Sequence, residues 1–297
     1  MTKKIWIIKD LLAVTSDFLK SKNIESPRLC AEILLSHQLE TGRLKLYLDY
    51  DQPIGDKDIN EYRGMVKRLL LGEPIQYITG AQEFWSLEFI VDRNVLIPRP
   101  ETEILVEQTL SLCSKITDSP HILDIGTGSG AIAVSLAHEL RPEGKSIWAT
   151  DISDKALDIA KKNSEKHGTS GYITFLSGDL FDPLKDRGTG FDCIVSNPPY
   201  VTAGEYKDLP DKIKNFEPET ALLGDEDGLV YIRKIIDRAP EYINPSGWLL
   251  LEMAPGQTGR ATEMLTGTGK YDNIRTVKDY SGRNRVVMAK KRKTDVR

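Results

Sequence analysis

From residue 121 to residue 253, short apolar runs alternate with segments of helical period, and that alternation constrains the fold before any single residue is weighed. His121-Ile122-Leu123-Asp124-Ile125 reads as a strand and Gly126-Thr127-Gly128-Ser129-Gly130 as a turn. Residues 131–140 follow as a helix with Ile132, Leu136 and Leu140 on one face. Residues 146–152 form the second strand, and Ser153 caps a helix carrying Ala156, Leu157 and Ala160. Residues 173–176, 192–196 and 248–253 supply further strands, with a last pair around 274–277 and 285–288. Helices are predicted from about residue 228 and over 257–265. Repeated βα units imply a parallel sheet with right-handed crossovers and a site at the carboxyl ends of its strands.

The first eighty residues have a different texture. Ile8, Leu11, Leu12, Thr15, Phe18 and Leu19 recur at helical spacing, Ser26-Pro27 opens a second helix through Cys30, Ile33, Leu34 and His37, and Ile59, Tyr62, Val66, Leu69 and Leu70 form a third that stops at Gly72. This predicts a small helical bundle over 1–80, with His37 as a partly buried packing residue. Glu83-Phe84-Trp85 and Phe89-Ile90-Val91 predict a hairpin, and Val95-Leu96-Ile97 a strand closed by Pro98 and Pro100. The second domain is therefore expected over 81–297, with a linking hairpin at about 81–97.

Forty basic against forty-four acidic residues give a net charge of −4, which argues against a protein held on duplex nucleic acid by its phosphates. Lys290-Lys291-Arg292-Lys293 is a local basic run, read as a solvated tail. Cys30, Cys113 and Cys193 are far apart in apolar surroundings, as buried thiols in a reducing compartment would be. The apolar run after Met1-Thr2-Lys3-Lys4 is broken at Lys9 and Asp10, so neither a secretory signal nor a membrane span is expected, and a cytoplasmic setting fits best. None of His37, His121, His138 and His167 has a partner at metal-ligand spacing, and no metal is predicted.

The chemistry concentrates where the fourth strand ends, at Asn197-Pro198-Pro199-Tyr200. Two successive prolines cannot continue a ladder, so the chain leaves the sheet as a rigid corner. That corner carries an amide, main-chain carbonyls and a phenol, a set able to accept both hydrogens of a planar NH2 group awaiting alkylation. The segment 201–227, polar and carrying Pro210 and Pro218, reads as a mobile cover.

Gly126, Gly128 and Gly130, between a strand and a helix, let a ligand approach the backbone. Asp151 closes the second strand where a carboxylate can accept both ribose hydroxyls, and Asp179 lies where it can meet an adenine amino group, with Leu180 or Phe181 against the ring. These residues fit NAD as well as S-adenosylmethionine, since Gly126-x-Gly128-x-x-Ala131 also satisfies the dinucleotide fingerprint. The corner favours the sulfonium, because a dehydrogenase needs a proton relay that the corner lacks.

Asp124-Ile125-Gly126-Thr127-Gly128-Ser129-Gly130 resembles motif I of class I S-adenosylmethionine-dependent methyltransferases, and Asn197-Pro198-Pro199-Tyr200 resembles their motif IV for planar nitrogens, shared by adenine-N6, guanine-N2 and glutamine-N5 enzymes. Gly72-Glu73-Pro74-Ile75-Gln76-Tyr77-Ile78-Thr79-Gly80, Glu83-Phe84-Trp85 and Ile97-Pro98-Arg99-Pro100-Glu101-Thr102-Glu103 are similar to the HemK/PrmC family of peptide chain release factor glutamine methyltransferases. Glu217-Pro218, Asp227-Gly228-Leu229 and Lys278-Asp279-Tyr280-Ser281-Gly282-Arg283 carry the likeness almost to the C-terminus. The sibling family acting on ribosomal protein L3 typically has Pro-Arg-Ser-x-Ile-Ala-Glu where this chain has Pro98-Arg99-Pro100-Glu101-Thr102-Glu103. One departure is Leu251-Glu252-Met253-Ala254-Pro255, where the family usually has Leu-Glu-Ile-Gly.

The resemblance implies a Rossmann-like, mostly parallel seven-stranded sheet and transfer of a methyl group to the glutamine of a Gly-Gly-Gln motif in class I release factors. Gly126, Thr127, Gly128, Ser129, Gly130, Asp151, Asp179 and Leu180 would hold the cofactor, with Arg99, Thr102 and Asn197 toward its methionine end and Glu101 nearby; Arg99 has an alternative as an ion pair with Glu103. Asn197, Pro198, Pro199 and Tyr200 would hold the substrate amide. The helical domain would recognise the release factor. A nucleic-acid N-methyltransferase, a ribosomal protein L3 glutamine methyltransferase, an NAD enzyme and a non-catalytic adaptor are the competing readings.

Overall fold

The computed structural model describes residues 5–116, 119–144 and 146–293. Backbone contacts divide the chain into two units, one of residues 1–80 with 211–216, the other of residues 81–210 with 217–297.

The first unit is helical: α1 (Ile8–Ser21), α2 (Pro27–Gln38), α3 (Arg43–Leu48), α4 (Asp56–Leu70) and α5 (Ile75–Thr79). Leu12, Leu19, Leu34, Leu35, Leu46 and Tyr62 form its core. The three long helices are those the apolar period predicts, and α3 and α5 are additions, too short at five or six residues to display a period. His37 is exposed in the last turn of α2, because it falls beside the apolar stripe rather than on it. Cys30 is half-buried.

The second unit begins with the antiparallel hairpin β1 (Ala81–Phe84) and β2 (Leu87–Ile90). The predicted strand at Val95-Leu96-Ile97 does not form. Val95 and Ile97 are apolar because they are buried, yet the Ile97 amide donates to the Glu217 side chain at 3.3 Å rather than to a strand, and Pro98 bars a ladder beyond it. After α6 (Glu103–Cys113) come β3 (Ile122–Ile125), α7 (Ala131–Leu140), β4 (Ile147–Asp151), α8 (Asp154–Lys166), β5 (Ile173–Ser177) and β6 (Phe191–Ser196). Ser153 caps α8 as predicted, its hydroxyl accepting from the Ala156 amide at 3.2 Å. Then follow β7 (Val201–Thr202), α9 (Ala203–Asp208), α10 (Asp211–Lys214, which belongs to the first unit), β8 (Leu223–Asp225), α11 (Val230–Tyr242), β9 (Ile243–Glu252), α12 (Thr258–Gly267), β10 (Tyr271–Lys278) and β11 (Asn284–Lys291).

The central sheet has seven strands in the order β10-β11-β9-β6-β3-β4-β5. From β9 to β5 every neighbour is parallel, and β11 runs antiparallel to both β9 and β10. Strand β3 is flanked by β4 and β6 and buried on both faces, which is why it reads as an unbroken apolar run apart from Asp124. Leu123, Ile194 and Leu249 serve one side of the sheet, and Ile122, Cys193 and Leu250 the other. Cys113 and Cys193 are buried with their sulfurs 3.9 Å apart.

Two further readings are revised and a third gains detail. Strand β9 starts at Ile243, five residues before the predicted strand, because Asn244-Pro245-Ser246-Gly247 looks like a turn but is taken up in an irregularity of register against β6. The segment 201–227, read as a mobile cover, has secondary structure of its own: β7 and β8 pair in parallel, and a capping box between Thr202 and Glu205 starts α9. The basic run is not a solvated tail. Lys290 and Lys291 belong to β11, Lys291 Nζ donates to the Pro240 and Ile243 carbonyls at 2.6 Å each, and Lys290 lies over the Trp248 ring.

Candidate active site

The carboxyl ends of β3, β4, β5 and β6 open into one cleft, lined among others by Gly126, Gly128, Asp151, Gly178, Asp179, Leu180, Asn197 and Pro199. Each arrives there for a local reason. Gly126 and Gly128 both have positive φ, and a Cβ on either would meet nothing within 4 Å. Their bare backbone faces open space at the N-terminal end of α7, where a ligand can come close. Gly130 serves packing instead, since a Cβ there would lie 3.0 Å from the Ala160 Cβ of α8.

Thr127 and Ser129 are buried and support the turn. The Thr127 hydroxyl donates to Asp124 Oδ2 at 2.6 Å, and the Ser129 carbonyl accepts from Asn163 Nδ2 at 2.8 Å. Asp124 is fully enclosed, and burial pushes its carboxyl up to about 7.

Asp151 ties the glycine turn to β4. Its Oδ2 accepts from the Gly128 amide at 2.8 Å and its Oδ1 from the Ser153 amide at 2.9 Å. Burial raises its pKa while those amides work against the rise, and each oxygen keeps a further lone pair for a ligand hydroxyl. Beside it Ile152 lies in the cleft wall 67% exposed, an apolar side chain that a flat ring would cover. Leu180 faces the same cleft, whereas Phe181 is fully buried and stacked on Tyr242 at 4.8 Å. Open glycines, a carboxylate and an apolar wall suit a nucleoside-bearing cofactor.

The cleft is also lined by residues to which the sequence gives no site role: Asn94, Leu96, Thr220, Ala221 and Tyr231. Their signal was weak because they lie in connecting segments and in the first turn of α11. Pro218, from the segment read as a cover, lines the same cleft.

At the end of β6, Asn197 Nδ2 donates to the Thr102 hydroxyl at 3.1 Å. Pro198 is buried. The Tyr200 carbonyl accepts from Gln257 Nε2 at 2.8 Å, and its phenol, buried and close to the negative Glu252, is held up at about 12. A Cβ on Gly224 would sit 2.8 Å from the Pro199 carbonyl, and one on Gly228 would sit 2.2 Å from the Tyr200 carbonyl. The corner is thus gripped from behind by Gly224, Gly228 and Gln257. The sequence assigns none of the three a role at the site.

Of the predicted cofactor residues, Arg99, Thr102, Thr127, Ser129 and Gly130 do not line the cleft. Arg99 pairs at 2.6 Å with Glu217, not with Glu103, which accepts instead from the Trp85 amide at 2.8 Å. Thr102 is buried behind Asn197.

Residues 10–80 match a family model described as the PrmC N-terminal domain, and residues 101–213 one described as the methyltransferase small domain. The release factor glutamine methyltransferase of Geobacter sulfurreducens is 41% identical over 292 residues, spanning 97% of this chain and 98% of that protein. That of Rhodopirellula baltica is 41% identical over 289 residues, spanning 96% and 97%. Among solved structures, the hMettl16 catalytic domain in complex with the MAT2A 3′UTR hairpin 6 superposes with a TM-score of 0.58 at 20% identity, covering 80% of this chain and 84% of that one, a likeness of fold alone. The sheet is that of the class I methyltransferases, and the chain belongs to the release factor glutamine methyltransferase family.

Proposed function

We propose that this protein transfers a methyl group from S-adenosyl-L-methionine to the side-chain amide nitrogen, N5, of the glutamine in the Gly-Gly-Gln motif of class I peptide chain release factors. The observation that carries the reading is the Asn197 amide at the rim of the cleft. Its NH2 is engaged by Thr102, so its oxygen is left to receive a hydrogen from a substrate.

When bound, S-adenosyl-L-methionine supplies an electrophilic methyl on a sulfonium. Gly126 and Gly128 would admit it to the backbone, Asp151 would accept from its ribose, and Leu180, Ile152 and Asp179 would receive its adenine end. Arg99 acts at one remove, holding Glu217 and through it the Ile97 amide beside the cleft wall. Thr102 likewise serves through Asn197.

An amide nitrogen is a weak nucleophile because its lone pair is delocalised into the carbonyl. Asn197 Oδ1 and the Pro198 carbonyl each accept one amide hydrogen, fixing the plane of the substrate and holding its nitrogen where an N–C bond would form as the S–CH3 bond breaks, with S-adenosyl-L-homocysteine as the leaving group and one N–H proton passing to solvent. Pro199 and Tyr200 pack against the glutamine side chain. Positioning of this kind is worth roughly 7 to 11 kcal/mol in favourable cases, so no strong base is required of the corner. Residues 1–80 engage the folded release factor away from the glutamine loop. A cytoplasmic setting follows from such a substrate, and among the described residues no helix is long and apolar enough to cross a membrane.

The deciding assay supplies labelled S-adenosyl-L-methionine with a release factor, its loop Gln→Ala variant, DNA or ribosomal RNA. Label in the intact factor alone supports the reading. Label in either nucleic acid overturns it.

A further inference from the structure

Behind the corner lies a group to which the reaction as described gives no part. Glu252, the last residue of β9, is 1% exposed, and its Oε2 has no hydrogen-bond partner. Its neighbour is Thr102, whose hydroxyl acts on the carboxyl as a hydrogen-bond partner and favours its ionised form. Thr102 in turn accepts from Asn197 Nδ2 at 3.1 Å and is itself 5% exposed. Three side chains from three segments distant in sequence therefore meet in a line that ends at the cleft.

We propose that Glu252 is a positioning residue: through the Thr102 hydroxyl it fixes the Asn197 amide with its oxygen, and not its NH2, toward the substrate nitrogen. This rests on the glutamine-methylating reading, and it adds the device that makes Asn197 an acceptor there.

The argument is one of hydrogen-bond polarity. A carboxylate has acceptors and no donor, so it takes the single proton of the Thr102 hydroxyl. Having given its proton away, that hydroxyl can only accept from its other neighbour, and Asn197 must offer it Nδ2. The direction of donation runs one way, from Asn197 to Thr102 to Glu252, and Oδ1 is what remains for the cleft. An asparagine amide turned by half a rotation would present NH2 to a substrate NH2, donor facing donor, and could not hold it. Nothing in the covalent structure of asparagine selects between the two orientations; a buried anion on the far side of Thr102 does.

Protonation of Glu252 removes the selection, because a carboxylic acid can donate to Thr102 and let the hydroxyl turn toward Asn197 Oδ1. The groups that act on this carboxyl are Arg285 of β11 and Arg99, which favour its ionised form, and Glu101, which opposes it, with Tyr200 also close. Burial outweighs them and brings the carboxyl up to about 7. The productive orientation is held above that pH and relaxed below it.

The test uses the full chain with a release factor as substrate and three variants, Thr102→Val, Thr102→Ser and Glu252→Gln. Thr102→Val is expected to lose on the order of 10²-fold in kcat, as loss of one preorganised contact does, with the Kd for S-adenosyl-L-methionine unchanged. Thr102→Ser, which keeps the hydroxyl, is expected to recover most of it. Wild-type kcat should fall as pH drops through about 7, and Glu252→Gln, which cannot ionise, should lack that step. Wild-type kcat in Thr102→Val, a loss in that variant confined to cofactor affinity, or the same pH step in Glu252→Gln would each overturn the proposal.

A readout without turnover covers the case of poor folding or a different substrate. In the 15N spectrum of the full chain, the Asn197 side-chain NH2 signal, identified by its disappearance in Asn197→Asp, should move with a midpoint near the same pH in wild type and stay fixed in Glu252→Gln. A signal that ignores pH overturns the relay. A signal that steps in a protein labelling no release factor leaves the relay standing and removes the glutamine reading instead.

Discussion

The Gln257 side chain reaches back from the loop after β9 to donate Nε2 to the Tyr200 carbonyl at 2.8 Å, while its own Oε1 accepts from the Ala254 amide at 3.1 Å. The same Nε2 would sit 2.3 Å from a Cβ built on Gly228, whose φ is +69°. The rigidity of the Asn197–Tyr200 corner is therefore borrowed as much from these neighbours as from its prolines. Gly228→Ala should push the corner out of place and lower kcat by on the order of 10²-fold, a loss typical of a displacement of about 1 Å. Steady-state kinetics beside a cofactor titration would check it. An unchanged kcat in a folded Gly228→Ala protein would show that the prolines suffice.

Asn197→Ala removes the acceptor itself. Methyl transfer is expected to become nearly undetectable while the Kd for S-adenosyl-L-methionine stays close to wild type, because Gly126, Gly128 and Asp151 remain in place. Isothermal titration and single-turnover labelling separate the two quantities. Weakened cofactor binding with normal turnover of the bound complex would mean that Asn197 serves the cofactor and not the substrate.

Much of the fold was legible because the chain is locally consistent. The central strands are apolar since parallel neighbours bury both faces, and residues 131–140 are helical as their spacing requires. What escaped reading was decided by partners far away in sequence. Residues 95–97 carry a strand's composition, yet the Ile97 amide is taken by Glu217, 120 residues on. Arg99 was weighed against its sequence neighbour Glu103 and found the same distant Glu217. The glycine turn, Asp151 and the Asn197 corner could be read from residue type and position, whereas Gln257 and Gly224 owe their parts to which atoms they touch. The capping box at Thr202 and Glu205 was open to reading and was passed over among the polar residues of a long connection.

Gly130 offers a test of packing separate from catalysis. It is held at φ +81° with the Ala160 Cβ 3.0 Å from where its own would be, so Gly130→Ala combines backbone strain with overpacking against α8. A loss of about 1–3 kcal/mol of stability is expected, readable as a lowered Tm. Adding Ala160→Gly should recover part of that loss. If the double variant is no more stable than the single one, contact with α8 is not what excludes a side chain at this position.

The role assigned to residues 1–80 predicts a difference between substrates. A short peptide bearing the Gly-Gly-Gln motif offers the corner its glutamine and offers the helical unit nothing. The kcat/KM for the peptide should therefore fall well below that for the folded factor, chiefly through KM, since binding energy remote from the reacting atoms is lost. Equal efficiency with peptide and intact factor would remove the recognition role.

Asp124 makes a prediction about pH and stability whose sign can be worked out. Its carboxyl is enclosed in the centre of the sheet and pushed up from 3.8 to about 7 in the folded protein by burial, with only the Thr127 hydroxyl and a main-chain amide working the other way. A raised acid pKa means that the native state binds more protons than the unfolded chain between those two values. The stability it contributes is present in full below the unfolded pKa and is lost as pH rises through about 7. Asp124→Asn retains an oxygen for the Thr127 hydroxyl but cannot ionise. Wild type should thus lose Tm relative to Asp124→Asn as pH is raised from about 4 to about 7, and the gap should level off above that. Glu252 titrates in the same direction but is present in both proteins, so it cancels in the difference. A gap that is the same at every pH would mean that the Asp124 carboxyl ionises in the folded protein as readily as in the unfolded chain, and that burial in β3 exerts no such pressure on it.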